Sequence, residues 1–394
     1  MLFLGIDIAS KKHDCCIMGQ NAEILAPVFT FENNAEGYEL LLKNIRSHNH
    51  GCDFSKVKIG VESTGHYGSN LISFLQTKGF GVTIFNPLQV DLYRKAGTLR
   101  KTKTDKADAK FIAQMLIATQ NENSAAMLID PHIVELKALV RHRSRMKSMR
   151  TRLRISVSRL VTILFPELPE AVSTIHQASS YALLLELPSA KVIKDCHLTR
   201  LTKLLAVASK NRYGKDKAIE IKALAEKSIG SSSVAVGFEL QQTIRLLNNL
   251  DEELATLDKQ IKATMIAINS PILTIPGISY NLGSVILAEI GNIENFSNPS
   301  KLLAFAGLEP STHQSGSYTA TKTSMVKRGS TYLRWAILQA ARLAAQHDQT
   351  FGAYALKKRQ EGKHYYVVLS HVGKKMIRVI FHLLKNNQEF ISVA

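Results

Sequence analysis

The first 118 residues alternate between apolar stretches of strand length and stretches with helical periodicity. LFLGIDIA, HDCCIMG and EILAPVFTFE predict three strands, and VKIGVES and GVTIFNP predict two more. Helical periodicity falls in AEGYELLLKNIRSH, in HYGSNLISFLQTKG, and in a stretch that ends near residue 118 with Thr104 as its expected N-cap. Three strands followed by alternating helices and strands predict an α/β domain, a mixed sheet covered by helices.

Four carboxylates occupy notable positions in this domain. Asp7 lies in the apolar run of the first strand, which is a poor place for an unpaired charge, and Glu62 ends the VKIGVES strand. Asp105 and Asp108 are three residues apart, so they share one face of a helix. Taken alone, this pair also fits the preference for acids in the first turn of a helix.

Acids on two strands and on a following helix can converge at one end of a sheet. Carboxylates gathered in this way repel one another unless a hard cation neutralises them, and Mg²⁺ prefers oxygen ligands. Two such ions about 3.5–4 Å apart can hold a phosphodiester for in-line displacement. We therefore predict a site for Mg²⁺ (or Mn²⁺) at Asp7, Glu62, Asp105 and Asp108, with Lys103, Lys106 and Lys110 guiding DNA to it.

The charge balance points to a polyanionic partner. Among 394 residues, 50 Lys and Arg face 32 Asp and Glu, which leaves a net charge of +18. A membrane surface is the alternative partner, but no apolar run is long enough to span a bilayer. The start, MLFLGIDIASKKHD, does not resemble a signal peptide, so we expect a cytoplasmic protein. The four cysteines lack metal-ligand or redox spacing.

A strongly basic stretch follows the first domain. Residues 137–159 contain nine Lys and Arg and no acid. A solvated helix face is the ordinary interpretation of a charge run, but a uniformly positive run repels itself unless something negative lies alongside. We therefore predict contact with nucleic acid through arginines of this run, namely Arg141, Arg143, Arg145, Arg150 and Arg152.

Apolar residues at alternating three- and four-residue spacing mark a long helix over 237–268. Such a stripe predicts either a coiled coil between subunits or a helix pair within the chain, and the sequence leaves both open. Residues 166–235 carry no pattern to which we assign a function. We divide the chain into an α/β domain, a basic helical region, a coiled-coil segment and a mostly helical C-terminal domain, at 1–125, 126–236, 237–269 and 270–394.

The C-terminal region contains a polar loop between apolar helices. Pro276 and Gly277 predict a tight turn before the loop at 309–330. Ser315 lies in this loop before a glycine and is followed by Lys322, Lys327, Arg328 and Arg334. Such a serine is often only a turn residue. As a nucleophile it needs a proton acceptor and stabilisation of charge on the attacked group, and its basic neighbours favour a phosphate target.

Several motifs together resemble the transposases of the insertion sequence 110 family. They are GIDIASKKHD, VESTGHY, FNP, KTDKADAKFIA, IPGIS, FAGLEPSTHQSG and KRGSTYLRWAI. The resemblance implies an RNase H/RuvC-like domain joined to a catalytic-serine domain, in a recombinase guided by a structured bridge RNA that pairs with target and donor DNA. It also implies that Asp7, Glu62, Asp105 and Asp108 bind metal and that Ser315 forms a phosphoserine link to DNA. The acids and the serine that act together would come from different subunits of a tetramer.

Two other classes of function fit parts of the sequence. A metal-dependent junction nuclease would use the four acids alone to activate water. A protein that only binds RNA or DNA would need neither the acids nor Ser315. The recombinase is the leading interpretation because it uses the acids, the serine and the excess positive charge together.

Overall fold

The chain divides into two compact units. The computed structural model describes residues 1–49, 54–62, 65–97, 104–119, 131–311, 314–315, 318–319 and 324–392. The first unit comprises Met1–Asp130 with Asn292–Ser297, and the second comprises Pro131–Gly291 with Asn298–Ala394. The predicted boundary between residues 125 and 126 lies outside the described residues. The second unit contains residues from all three regions that were predicted between residues 126 and 394.

The first unit is a mixed five-stranded sheet with helices. Its strands run β1 (Leu2–Ile8), β2 (Lys12–Met18), β3 (Ile24–Glu32), β4 (Val57–Glu62) and β5 (Gly81–Phe85). The spatial order is β3-β2-β1-β4-β5, in which β1, β2 and β3 are antiparallel neighbours and β4 and β5 run parallel to β1. Its helices are α1 (Ala35–His48), α2 (Ser69–Thr77), α3 (Pro87–Gly97) and α4 (Asp105–Ala118). Every strand predicted here is confirmed, as is the α/β class.

Helix α4 packs directly on the backbone of β1. A Cβ atom added to Gly5 would lie 2.1 Å from the carbonyl oxygen of Ala109 and 2.3 Å from the backbone nitrogen of Ala113. The small side chains of these two alanines are fully buried, so helix and strand approach closely. The absence of a side chain at Gly5 therefore permits α4 to lie against the central strand.

The second unit is mostly helical. In chain order its helices are α5 (Pro131–Leu164), α6 (Leu168–Ala171), α7 (Ala178–Glu186), α8 (Ala190–Asp195), α9 (Leu198–Ser209), α10 (Lys215–Lys227), α11 (Val234–Ile268), α12 (Tyr280–Ile290), α13 (Pro299–Phe305), α14 (Thr331–His347), α15 (Gln349–Gln360) and α16 (Tyr365–Asn386). Two strands of two residues each, β6 (Gln314–Ser315) and β7 (Tyr318–Thr319), pair in antiparallel orientation. Gly277, at φ +92°, makes the turn that the Pro-Gly pair predicted.

The two long helices α5 and α11 form an antiparallel pair inside the chain. Their ion pairs join Arg143 to Asp258, Arg150 to Asp251 and Arg159 to Glu239, so that residue numbers rise on one helix as they fall on the other. The first two pairs are separated by seven residues on each helix, the spacing of one heptad. Both arginines bind their carboxylates through two nitrogens, which fixes the register of the helices.

This helix pair resolves the two interpretations of the apolar stripe at 237–268. Leu247, Leu254 and Ile261 of that stripe are buried within the single chain. The stripe therefore forms a helix pair within the chain, one of the two arrangements that the sequence left open. Helices α6 to α10 pack around one end of the pair, in a core that contains Leu160 and Leu240.

Two further predictions concern cysteines and membrane spans. Cys15, Cys16 and Cys196 are free and buried, while Cys52 lies outside the described residues. Across the described part of the chain, no helix combines the length and the apolar character that crossing a bilayer requires.

Gly5→Ala should destabilise the first unit. The added methyl group would overlap the backbone of α4, and overpacking of this kind costs about 1–3 kcal/mol. Urea unfolding followed by circular dichroism measures the change. The control is Gly373→Ala in α16, where the nearest atoms would be 3.5 Å away and the gain in helix propensity should stabilise the protein. An unchanged midpoint for Gly5→Ala would contradict the close packing of α4 on β1.

Candidate active site

Three acids meet where strands β1, β2 and β4 lie side by side. Asp7 is the next-to-last residue of β1 and pairs with Asp14 of β2, so their side chains lie on the same face of the sheet. Glu62 is the last residue of β4, whose parallel register with β1 runs as far as Ile6 and Val61. One step further along this register brings Glu62 beside Asp7.

The first turn of α4 supplies two more acids. Thr104 caps the helix as predicted, because its hydroxyl accepts a hydrogen bond from the backbone nitrogen of Ala107 at 3.3 Å. Asp105 is exposed, whereas Asp108 is only 5% exposed and faces the sheet. Since α4 packs on β1 at Gly5, its first turn lies on the same side of the sheet as Asp7.

The pKa of Asp7 is raised, in part because the other acids lie near it. Burial, and after it the charges of Asp108, Asp105, Glu62 and Asp14 in that order of size, together raise the pKa of Asp7 from 3.8 to about 6. The structure thus brings together the four acids that the sequence analysis selected. Asp14 is a fifth acid that the analysis missed, although pairing HDCCIMG antiparallel to LFLGIDIA would have placed it opposite Asp7.

Arg94 is a second residue of this site that the sequence analysis missed. It donates hydrogen bonds to Asp108 at 3.3 Å and to Asp91 at 2.5 Å, so it offsets part of the negative charge. It lies on α3, a helix that was not predicted because Pro87 was interpreted only as the end of a strand. The signal was the preceding Asn86, whose side chain accepts from the backbone of Leu88 while its own backbone donates to Gln89. This reciprocal pattern is a capping box.

The acidic cluster has the chemistry of a divalent-cation site. Carboxylate oxygens from Asp7, Glu62, Asp105 and Asp108 are the hard donors that Mg²⁺ prefers. Within the described residues, however, no three Asp, Glu, His or Cys side chains already form a closed metal-binding group. Burial is the largest cause of the raised pKa of Asp7, and the charges of the other acids add to it; a bound cation would offset both contributions.

The lysines predicted to guide DNA differ in their positions. Lys106 is exposed in the first turn of α4. Lys110 is half-buried and near Cys16, where burial raises the pKa of the thiol and the charge of Lys110 opposes that rise. Lys103 lies outside the described residues. The contact of these lysines with DNA stays a prediction.

Ser315 lies in a short hairpin of the second unit. Its backbone pairs with that of Tyr318, while its side chain lies outside the described part of the structure, as does Lys322. The base of the loop is closed by hydrogen bonds from the backbone nitrogen of Ser311 to the oxygen of Ser324 at 2.8 Å and from Val326 to Glu309 at 2.9 Å. The two ends of the loop are thus held together by backbone hydrogen bonds.

A buried glutamate holds the C-terminal end of this loop. Glu289, on α12, is only 3% exposed and binds Arg141 of α5 through two hydrogen bonds, of 2.9 and 3.2 Å. It also accepts from the hydroxyl of Ser330 at 2.8 Å, and Ser330 in turn caps α14. Burial raises the pKa of Glu289, but the hydrogen bonds from Arg141 and Ser330 outweigh it and hold the pKa below its ordinary value. Glu289 was not predicted from the sequence, because it lies in an apolar helix and its partners Arg141 and Ser330 are distant in the sequence.

The basic residues around the start of α14 have two different roles. Arg334 donates to the backbone oxygen of Lys327 at 3.0 Å, so it fixes the loop backbone. Lys327, which adopts φ +55°, and Arg328 are exposed. Gly329 adopts φ +116°, and a Cβ there would lie 2.1 Å from the oxygen of Phe305. The loop is therefore held tightly while two cations remain exposed, and their contact with nucleic acid stays a prediction.

The arginines of α5 also divide into two groups. Arg141, Arg143 and Arg150 form ion pairs with acids of the same chain. The negative charge expected beside this positive run is therefore supplied by the protein itself, and the contact of the three arginines with nucleic acid stays a prediction. Arg145 and Arg152 are exposed and lie seven residues apart on one face, so they are the more accessible candidates on α5 for nucleic acid.

Comparisons with known proteins agree with this arrangement. A family model described as a transposase matches residues 4–166, and a model of the transposase IS116/IS110/IS902 family matches residues 269–356. The first range contains all the acids of the cluster, and the second contains Ser315 and Glu289.

Full-length relatives extend the match across the chain. An uncharacterised protein of insertion element IS116 from Streptomyces clavuligerus is 24% identical, over 99% of this chain and 96% of the relative. A pilin gene-inverting protein from Moraxella bovis is 24% identical, over 98% and 97%. A putative mini-circle transposase for IS117 from Streptomyces coelicolor is 25% identical, over 99% and 95%. The protein is thus a DNA transposase or recombinase, and the chain belongs to the IS110 family.

Asp7→Asn should stabilise the metal-free protein at pH 8 and not at pH 4. A carboxyl whose folded-state pKa is raised contributes stability below its unfolded value of 3.8, and this contribution is lost as the pH rises through about 6. The neutral amide avoids that loss. Thermal unfolding in chelator across this range measures the difference, with Glu39→Gln on the exposed face of α1 as the control. A pH-independent difference would show that the pKa of Asp7 is not raised by burial and by the neighbouring acids.

Glu289→Gln should destabilise the protein at neutral pH by roughly 2–3 kcal/mol, since it removes one partner of a largely buried ion pair. Because the folded-state pKa of Glu289 is lowered, the difference from wild type should shrink as the pH falls below 4.5. Denaturant unfolding measures both effects. Glu239→Gln, which breaks the exposed pair with Arg159, is the matched control and should change stability by less than about 1 kcal/mol. Equal losses in the two variants would contradict this role of Glu289.

Proposed function

We propose that the chain is an RNA-guided transposase that cleaves and rejoins DNA through a phosphoserine intermediate. The proposal rests on one observation: Asp7, Glu62, Asp105 and Asp108 lie close together. The charges of the other three acids contribute to the raised pKa of Asp7. The strand order β3-β2-β1-β4-β5 supports an RNase H/RuvC-like fold for this unit. Membership of the transposase family supports chemistry on DNA.

In this proposal Asp7, Glu62, Asp105 and Asp108 would hold Mg²⁺ (or Mn²⁺), and the cation would supply neutralisation of charge on the phosphate oxygens. Arg94 orients Asp108 by donating a hydrogen bond to it from α3. Lys106 and Lys110 bring DNA to a site that would otherwise repel it.

Ser315 performs the covalent step. Its hydroxyl oxygen attacks phosphorus, the bond to the sugar oxygen of the leaving strand breaks, and that oxygen takes up a proton while the serine loses one. A sugar hydroxyl of the partner strand then attacks the phosphoserine, which rejoins DNA and restores the serine. Because the phosphodiester energy is kept in the phosphoserine bond, rejoining needs no further energy source. Lys327 and Arg328, exposed beside the same loop, stabilise the charge on the attacked phosphate.

The proposed partners are a guide (bridge) RNA, target and donor DNA, and further copies of the chain. Base pairing by the RNA selects the sequence, so the protein needs only a surface that binds backbone and shape. The net charge of +18 supports such a surface. The acids of one subunit act with Ser315 of another in a tetramer assembled on nucleic acid. The Moraxella bovis relative is named a pilin gene-inverting protein, which supports rearrangement of DNA as the outcome of the reaction.

Ser315→Ala should abolish both DNA cleavage and the covalent protein–DNA adduct. The substrate is a labelled DNA duplex that carries an end of the element, supplied with its guide RNA and Mg²⁺, and the adduct is detected by its reduced mobility on a denaturing gel. Asp7→Ala should also abolish the adduct, because the phosphate is then neither positioned nor neutralised. Ser324→Ala, in the same loop, is the control and should retain both activities.

The same assay separates the alternatives. A junction nuclease that uses the acids alone would still cut DNA after Ser315→Ala and would never form an adduct. A protein that only binds nucleic acid would keep all its activity after Asp7→Ala and after Asp105→Ala. Cleavage by the Ser315→Ala variant would therefore overturn the phosphoserine mechanism while leaving the acidic site in place.

A further inference from the structure

The turn between α15 and α16 presents a cluster of aromatic rings to solvent. Tyr366 is 70% exposed and Tyr365 is 42% exposed, at the start of α16. Their ring centroids lie 5.4 Å apart at an interplanar angle of 68°, and the ring of His364 lies 5.6 Å from that of Tyr366. We call residues 357–366 the turn surface.

These rings do not belong to the hydrophobic core. The buried side of α16 begins two residues beyond this surface and repeats every four residues, at Val368, Val372, Met376 and Ile380. The last turn of α15 also exposes Leu356, at 57%. The packing of the unit therefore does not require exposed tyrosines at residues 365 and 366.

The rings are nevertheless held on a rigid support. His364 caps α16 by accepting from the backbone nitrogen of Tyr366 at 3.4 Å. Lys375 ties α16 to α15 by donating to the backbone oxygen of Thr350 at 3.0 Å, and its ammonium lies 5.1 Å from the ring centroid of Tyr354. The backbone that carries the two tyrosines is thus fixed, so only side-chain freedom is lost when a ligand stacks on the rings.

The turn surface is also strongly positive. It contains Lys357, Lys358, Arg359 and Lys363 against the single acid Glu361, a formal net charge of +3. Glu361 binds Lys358 at 2.7 Å and Lys363 at 3.2 Å. Within the described residues Lys357 and Arg359 have no carboxylate partner, and both are exposed. The guanidinium of Arg359 lies 5.9 Å from the ring centroid of Tyr365, so a cation flanks the aromatic cluster.

We propose that the turn surface is a binding site for single-stranded nucleic acid. Tyr366 and Tyr365 stack on unpaired bases, and Lys357 and Arg359 contact the adjoining phosphates. A single strand is required because stacking inside a duplex covers the faces of its bases. The site lies beyond residue 356, where the second family match ends, and is separate from the acids and from Ser315. It depends on the proposed function only for the choice of a nucleic acid as the partner.

The test measures binding of the full-length protein to labelled oligonucleotides by fluorescence anisotropy. The probes are a 20-nucleotide oligo(dT), a 20-nucleotide oligo(U) and a 20-base-pair DNA duplex, at a salt concentration that weakens general electrostatic binding. Tyr366→Ala should weaken binding of a single strand about 5- to 100-fold, the range for loss of one base–aromatic stack, and leave duplex binding unchanged. Tyr366→Phe should keep the affinity because it keeps the ring.

Two further variants identify the contribution of the surface. The double variant Lys357→Ala/Arg359→Ala should weaken binding and reduce its salt dependence, because two phosphate contacts are lost. Tyr280→Ala is the matched control, since Tyr280 is also an exposed tyrosine at the first position of a helix, with Lys262 over its ring at 5.5 Å. It should bind as the wild type does. Because all these side chains are exposed, thermal unfolding should be unaltered.

A crosslinking experiment locates the contact directly. Oligonucleotides that carry 5-iodouracil, irradiated on the wild-type protein and mapped by mass spectrometry, should crosslink at Tyr365 or Tyr366. A loss of affinity for oligo(dT) alone or for oligo(U) alone would identify DNA or RNA as the ligand. Unchanged binding by Tyr366→Ala, equal losses on duplex and single strand, or crosslinks only elsewhere would overturn the proposal. So would a variant that binds oligonucleotides normally but no longer sediments with phosphatidylserine vesicles. None of these measurements requires DNA cleavage, so failure of the phosphoserine mechanism would leave them unaffected.

Discussion

The close approach of α4 to β1 at Gly5 determines the geometry of the acidic cluster. Because this strand position lacks a side chain, the helix backbone lies on the strand, and the first turn of α4 carries Asp105 and Asp108 to the side of Asp7. The parallel pairing of β4 with β1 adds Glu62, and the antiparallel pairing of β2 adds Asp14. Like charges are therefore held together by backbone packing, and the protein keeps an unfavourable local arrangement where a cation would stabilise it.

The positive charge of the chain has two distinct uses. In α5 most of the selected arginines bind acids of α11 and α12, so a run that looks like a nucleic-acid contact in sequence specifies helix register in the fold. Within the described part of the chain, Arg145, Arg152 and Lys357 of the second unit have no such partner. Charge runs alone cannot separate these uses, because the neutralising acids lie about a hundred residues away in the sequence.

Local patterns were sufficient for much of the first unit. Apolar runs located all five strands, and Thr104 was correctly identified as the cap of α4. The four acids were found because each stands out in its own segment: one in an apolar run, one at a strand end and two in a helix start. Arg94 was missed because α3 was not recognised after Pro87. Glu289 could not be found in this way, since only the assembled helices bring Arg141 and Ser330 to it.

The paired arginines and aspartates of α5 and α11 have a consequence for how chains of this kind can diverge. Two bidentate contacts in the middle of the antiparallel helices define their alignment from within. The five short helices that connect them pack at one end and take no part in those contacts. This connecting segment can thus lengthen, shorten or be exchanged between related chains while the long hairpin that supports it keeps its alignment.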